Sequence, residues 1–443
     1  MDIVTQAADA LKRVFLVKAE EVNEQAKAVK RRRKFTPSTL TQTFVLGFLK
    51  KPDASHEDIA CMAAASGIEV SAQAVEQRYT DELELFFKLM FQEFTQQIVA
   101  SEHALASILE RFSEVILIDS SSVTLPETQA ENYQGCGGTH GRGKAALKLQ
   151  TELDLRSGSL RCVDVEQGRA PDGASSRQHI DQTAGSLRIA DLGYFNIPVL
   201  KRIEQSDAFF LTRMQHQVKI YVDGVKHDLV LWLNSQDSGI VDRRIELGLK
   251  ERFACRLIAY RVPEEMANRR RRKLIAASRS KYGRQPSAAS LAACDWEFMV
   301  TNLNEEQLSV TEAIVLYRAR WQIELLFKRW KSHGLIGQMD GRNDVVRMTK
   351  FWIRLCAAMV QHWLTVVAVW SPVLLLSLDK VARQIRDFVR EIANQLSQSG
   401  DLADVLDRFC QTTRVGCKLN RRRKKPVTFS LLRAPETLDY VLT

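Results

Sequence analysis

Apolar positions recur at helical spacing through the first hundred residues. The periodicity predicts a helix over about Ile3 to Lys27, closed by a basic run from Lys30 to Lys34. Pro37 and Ser38 open another, which runs through Leu49. Ser55 with Asp58 reads as a helix start and Gly67 as its stop. Ser71 begins the next helix, carrying Val75, Arg78 and Tyr79. Two helices around a Gly-containing turn fit a DNA-reading helix-turn-helix and a plain helical hairpin alike.

From about Phe112 the pattern shortens to strand length. VILID at 115–119 is an apolar run ending on Asp119, and LKLQTELDL at 147–155 alternates. Arg156-Ser157-Gly158 then predicts a turn into SLRCVDVE at 159–166. SLRIADLGYF at 186–195 reads as a strand reaching Asp191, followed by a helix near Ile197 to Gln205 and a strand in AFFLTRM. KIYVDG and DLVLWLN read as further strands, 264–285 as a strongly basic helix, and WEFMVTNL as a core strand. A long helix over about Thr311 to Ser332 and mostly helical sequence over 345–410 complete the pass.

One segment is long enough for a membrane span. Leu355 to Leu378 carries no charged residue, but it contains Gln361, His362, Ser371 and Pro372. A buried core helix interrupted at Pro372 is the expectation. The N-terminal stretch has early acidic residues and no long apolar core, so it does not read as a secretory signal. Hydrophobic residues are 45% and charged residues 26% of 443, which excludes wholesale disorder. The 63 Lys and Arg against 53 Asp and Glu give a net charge of +10, which points to a polyanionic partner. The eight cysteines show no CxxC spacing. Reduced thiols are expected, in a cytoplasmic, nucleoid-associated protein with no membrane partner.

The helix YRARWQIELLFKRWK carries the chemistry. Tyr317, Arg320, Glu324, Lys328 and Lys331 fall on one stripe at about 100° per residue. A salt-bridged surface helix explains Arg320–Glu324–Lys328 equally well, but it does not call for the tyrosine or for Trp321 and Trp330. Asp119 and Asp191, each at a strand end, add two carboxylates that can converge on a divalent ion held by oxygen ligands. Glu324 would be a third. Two Mg²⁺ held in this way would serve in-line phosphoryl transfer, with the cationic and aromatic neighbours Tyr317, Arg320, Lys328 and Lys331 gripping the DNA phosphates.

The spacing Y-(2)-R-(3)-E-(6)-K, filled by Tyr317, Arg320, Glu324 and Lys331, resembles the signature of the insertion-sequence-four family of DDE transposases. VILIDSSSV resembles that family's first-Asp strand, ADLGYF its second-Asp block and WEFMVTNL the strand before its Glu helix; the likeness covers about residues 40–410. The resemblance implies an α/β, ribonuclease-H-like core interrupted by a β-rich insertion, with helical N- and C-terminal domains. It implies a catalytic, metal-holding triad of Asp119, Asp191 and Glu324 with two Mg²⁺, for which Mn²⁺ can substitute. It further implies cut-and-paste transposition on double-stranded DNA, both terminal inverted repeats and target, by a homodimer in the synaptic complex. The expected division is a DNA-binding region over 1–105, a catalytic domain over 106–345 with the insertion at about 213–295, and a dimerisation region over 346–443. The alternative class is a catalytically inactive DNA-binding regulator descended from such an enzyme.

Other features rank lower. Gly138 to Lys144 has part of a phosphate loop, but Ala145 stands where the Mg²⁺-ligating hydroxyl would be. A loop there whose Arg142, Lys144 and Lys148 touch DNA is the preferred reading. His140, His179 and His333 read as surface or DNA-contact histidines, and Asp154 and Asp164 as strand carboxylates outside the triad. Trp232 is a candidate wedge for a flipped base and equally a core-strand tryptophan. The runs at 30–34, 269–273 and 421–425 read as DNA contacts or as solvated faces.

Overall fold

A computed structural model describes residues 2–136, 144–249, 252–337, 339–370, 376–398, 400–419 and 427–438. The chain begins with α1 (Ile3–Lys12), a π-helical segment (Arg13–Lys18) and α2 (Ala19–Ala26). Then come α3 (Pro37–Lys50), α4 (His56–Ala65), α5 (Ala72–Glu76), α6 (Asp81–Gln96) and α7 (Ser107–Glu110). The strands β1 (Val115–Thr124), β2 (Ala146–Asp154), β3 (Leu160–Gln167) and β4 (Leu187–Ala190) precede α8 (Ile197–Gln205). Next are β5 (Phe209–Arg213), β6 (Lys219–Val222), β7 (Val225–Asp228), α9 (Leu229–Asn234), β8 (Ile240–Leu247) and β9 (Phe253–Arg261). After α10 (Glu264–Tyr282), α11 (Ala288–Ala292) and β10 (Trp296–Thr301) the chain is helical: α12 (Val310–Ala319), α13 (Trp321–Ser332), α14 (Asp344–Val369), α15 (Leu378–Gln398), α16 (Leu402–Gly416) and α17 (Thr428–Arg433).

Helical N- and C-terminal regions thus flank a mixed β-sheet core, consistent with a ribonuclease-H-like fold interrupted by a β-rich insertion. Two compact units share the chain: Met1–Leu105, Ser120–Ala170 and Gln322–Lys424 form one; Ala106–Asp119, Pro171–Trp321 and Lys425–Thr443 form the other.

In the first unit strands follow the order β3-β2-β1, with β2 and β3 antiparallel. Its helices pack around α14, which is apolar on nearly every side and buried against α3, α6 and α15. That all-round burial is what a core helix requires. Among the described residues one helix, α14, is long and apolar enough to cross a membrane, and most of its residues are buried inside the unit. The β2–β3 turn docks on its end: the buried His362 bonds the Gly158 carbonyl through Nε2 at 2.8 Å, and Trp370 Nε1 donates to the Arg156 carbonyl at 3.1 Å. Gly158 sits at φ +79°, against the Trp370 ring, where no side chain fits.

In the second unit the order is β1-β4-β5-β10-β9-β8-β6-β7. β1, β4 and β5 are parallel, and β10 meets β5 and β9 antiparallel. Parallel strands buried on both faces favour apolar runs; Val115–Ile118 is one, and Leu187–Ala190 is apolar but for the buried Arg188, whose guanidinium donates to the Gln178 side chain. Arg256, 5% exposed, grips Asp242 with two bonds of 2.7 Å, and its Nη1 donates to the Asn304 and Leu308 carbonyls. That fixes the loop ahead of α12. Ser309 and Glu312 then cap α12 reciprocally, and Arg111 Nη2 holds Glu312 at 2.7 Å.

The structure departs from the sequence-based expectations at several elements. DLVLWLN is mostly the helix α9, not a strand. Its apolar run is short enough to suit either form, and the burial of Leu229, Val230 and Leu233 with Leu231 exposed follows the helical alternative. α5 is only five residues, about 7 Å long. It ends before Arg78 and Tyr79, so it offers little of the length that a major-groove recognition helix uses. Lys148 is buried and donates to the Ala170 carbonyl, so it does not face DNA.

Candidate active site

β1 and β4 pair in register with Ile118 opposite Ala190. Asp119 and Asp191 are each the next residue, so both carboxylates occur at one level of two adjacent strands. β1 does not end at Asp119 but runs on to Thr124; what ends there is its pairing with β4. Asp191 opens a tight turn over Leu192–Tyr194, with the Tyr194 N–H donating to its carbonyl at 3.0 Å. Ile118, Ala190 and Tyr194 form a small buried cluster beside the two aspartates. Gly193 leaves room in that turn, since a Cβ there would lie 3.1 Å from Asp172 Oδ2.

α12 and its C-cap residue supply a partner for each aspartate. The Tyr317 hydroxyl donates to Asp191 Oδ1 at 3.2 Å, and Arg320 Nη1 meets Asp119 Oδ2 at 3.1 Å. Three residues of helix rise about 4.5 Å, and neighbouring strands lie about 4.8 Å apart. The Tyr–Arg spacing therefore matches the step between the strands, and one turn of helix bonds both carboxylates. Arg320 keeps helical dihedrals (φ −50°, ψ −32°) and is 12% exposed on its side chain, against 18% for Asp119.

Burial pushes the Tyr317 hydroxyl well above the ordinary tyrosine range, and the Asp191 carboxylate adds to that rise; Arg213 and Arg320 oppose it. The hydroxyl is therefore a neutral donor at physiological pH. Arg213 and Arg320 lie 5.6 and 5.9 Å from the Tyr317 ring centre. Arg213 in turn pairs with the buried Glu297 on β10, which also accepts from Arg270 on α10. The sequence reading missed Arg213 and Glu297. Their signal was a lone carboxylate inside the apolar WEFMVT and a cation closing FFLTR.

Of the remaining sequence-derived candidates, Glu324, Lys328, Lys331, Lys144 and Asp154 fall in the other unit, Trp232 and Trp296 are in this one, and others lie outside the described residues. Glu324 is half-buried on α13, and Lys328 is exposed. Lys331 is exposed and its Nζ donates to the Ser122 carbonyl at 3.4 Å. Lys144 is exposed just ahead of β2. Arg142, His140, the glycines at 138, 141 and 143 and the basic run 421–425 lie outside the described residues. Asp154 is committed to its own turn, accepting from the Ser157 hydroxyl and the Arg156 N–H. Trp232 is half-buried on α9 against the core of the second unit. Trp296 is buried, with Nε1 on Asn234 Oδ1 at 2.8 Å. Among the described residues no three His, Cys, Asp or Glu side chains are gathered closely enough to hold an ion.

Residues 110–360 match the family model of the transposase DDE domain. The chain therefore belongs to the DDE transposases. It is 26% identical over 337 residues to the transposase of insertion sequence element IS231F from Bacillus thuringiensis subsp. israelensis, covering 71% of this chain and 70% of that one. It is likewise 26% identical over 302 residues to the transposase of IS1151 from Clostridium perfringens, covering 61% of each. A looser likeness, at TM-score 0.42 and 9% identity, joins it to the piggyBac transposase synaptic complex with hairpin DNA, over 95% of this chain and 87% of that one.

Proposed function

We propose that this chain is the transposase of a bacterial insertion sequence, which binds the element's terminal inverted repeats and catalyses their cleavage and transfer by a cut-and-paste route. The observation that carries this reading is the aspartate pair: two carboxylates at one level of adjacent parallel strands, each bonded by its own residue of a single helical turn. In this reading Asp119, Asp191 and Glu324 are the catalytic carboxylates and hold two Mg²⁺. The donor set suits a hard divalent ion, being oxygen throughout, and the Arg320 guanidinium already places positive charge on Asp119. Bound there, the ions would activate the attacking oxygen and stabilise the leaving one.

The chain's own side chains do the rest. Tyr317 fixes the orientation of Asp191 by its hydrogen bond. Arg320 steadies Asp119 while DNA is absent and has further N–H donors for a phosphate oxygen. Lys328, Lys331, Lys144 and Arg142 neutralise the backbone around the scissile bond. The Y-(2)-R-(3)-E-(6)-K pattern is thus one device in which Tyr and Arg set the aspartates, Glu is the third carboxylate and Lys grips phosphate. Residues 1–105 bind the ends, 106–345 carry the chemistry with an insertion at about 213–295, and 346–443 pair two protomers. Incubating purified protein with a supercoiled plasmid carrying the DNA that flanks its gene, with and without Mg²⁺, tests the reading. Metal-dependent cuts at the inverted repeats support it; end binding with no cuts supports the inactive regulator instead.

A further inference from the structure

α10 contains four consecutive arginines, Arg269 to Arg272, followed by Lys273. A helix turns about 100° per residue, so four successive side chains cannot share a face, and the structure sorts them. Arg270 turns inward to the buried Glu297, and Arg271 pairs with Asp295. Ala267, between them in angle, is buried. Arg269, Arg272 and Lys273 lie on the opposite side and are exposed. No hydrogen bond or ion pair of these three occurs among the described residues, whereas Arg270 and Arg271 are each neutralised by a carboxylate.

The outward face continues through Ala276 and Ser280, both exposed, so it bears no large apolar side chain. That argues against a membrane-surface helix, which needs an apolar face to insert. Beyond it stand further exposed cations. Lys281 Nζ and the Arg284 guanidinium carbon lie 5.2 and 5.6 Å from the ring of Tyr282, itself 59% exposed. From Arg269 to Lys273 the outward cations cover about 6 Å of helix, a length over which duplex DNA presents roughly three phosphate charges. A row of unneutralised guanidinium and ammonium groups on a rigid, largely exposed helix suits such a regular line of charge.

We propose that the outward face of α10 is a second DNA-binding surface, in which Arg269, Arg272 and Lys273 contact the phosphate backbone without reading sequence. This rests on the reading of the chain as a transposase and adds a named surface within the insertion. The inward arginines serve a different end: Arg270, through Glu297 and Arg213, anchors the helix to the strand beside Tyr317, and Arg271 holds Asp295.

The test is the salt dependence of binding to a random-sequence duplex, measured for the full chain and for the Arg269→Gln/Arg272→Gln/Lys273→Gln variant. The slope of log K against log salt should fall by about 3 in the variant, about 1 for each lost phosphate contact. The affinity loss should be the same on the element's ends and on the random duplex, with Tm unchanged. Should the triple variant fold poorly, each single substitution should lower the slope by about 1. A folded variant with an unchanged slope overturns the proposal. So does DNA binding that is unaltered while capture by phosphatidylserine vesicles is lost. Cleavage of the element's ends by the unsubstituted chain, run alongside with Mg²⁺, separates the two claims: cuts with an unchanged slope sink only the α10 surface, and no cuts with a lowered slope sink only the catalytic reading.

Discussion

At the residue scale, Tyr317 and Arg320 divide the work of holding two carboxylates. Tyr317→Phe removes only the hydroxyl that donates to Asp191. Strand cleavage should slow roughly tenfold, the lower end of what a hydrogen bond to a charged group is worth, while the folded state is little altered. A cleavage rate equal to that of the unsubstituted chain would deny the hydroxyl any positioning role. Glu297 has a structural counterpart to that role. It is 6% exposed on its side chain and held by Arg213 and Arg270, which are 37% and 31% exposed. Glu297→Gln should cost roughly 2 kcal/mol, less than the loss of a fully buried partner because both guanidiniums reach solvent. Urea unfolding of the two proteins measures this. Tyr317 and Arg320 are legible because one helical turn sets their spacing, and Asp119 and Asp191 because each follows a strand-length run, although the pairing that brings those two strands together is not encoded locally. Glu297 and Arg213 are brought together by antiparallel pairing of β5 and β10, and no local spacing encodes such a pairing.

At the element scale, termini were legible where a cap stood in the sequence. Ser55 with Asp58 and Pro37 after Thr36 both mark observed helix starts. α9 was misread because five consecutive apolar residues carry neither period strongly. Gln361 and His362 within an apolar run predict a buried helix rather than a span, and the burial of α14 in the first unit agrees; Ser371 and Pro372, where the interruption is expected, lie outside the described residues. His362 on this helix gives a pH prediction. Burial lowers its pKa from the ordinary value to about 4, so the folded state holds it neutral. The unfolded chain binds its proton first as pH falls. The stability it contributes is therefore complete above about pH 6.5 and is lost as pH drops towards 4, by about 2 kcal/mol between pH 7 and pH 5. His362→Gln should flatten that part of the pH–stability curve; an unchanged slope would mean that the imidazole is not held neutral. Removing the α12 cap, Ser309→Ala, should cost about 1 kcal/mol, seen as a lower urea midpoint.

At the scale of the whole molecule, the net charge of +10 has a distribution as well as a sign. Part of it is internal, spent on Asp119, Asp242, Asp295 and Glu297. Part of the 30–34 run is neutralised too, with Lys30 on Glu82 and Arg32 on Glu20. The exposed remainder of α10 and the lysines of α13 stay available. Composition could not separate these classes, because inward and outward arginines are consecutive in sequence. The fold class was legible from strand order along the chain and from the family likeness, whereas the pairing of the insertion strands β6 to β9 needed the structure. Asp119, Asp191 and Glu324 are proposed as the catalytic centre of a DNA-cutting enzyme. The most direct measurement is strand cleavage on DNA carrying the element's ends, with Mg²⁺, by Asp119→Ala, Asp191→Ala and Glu324→Ala variants, with end binding measured in parallel. Each variant should bind the ends as the unsubstituted chain does and yield no cut strands. Cleavage at the normal rate by any one of them would contradict its place in the centre.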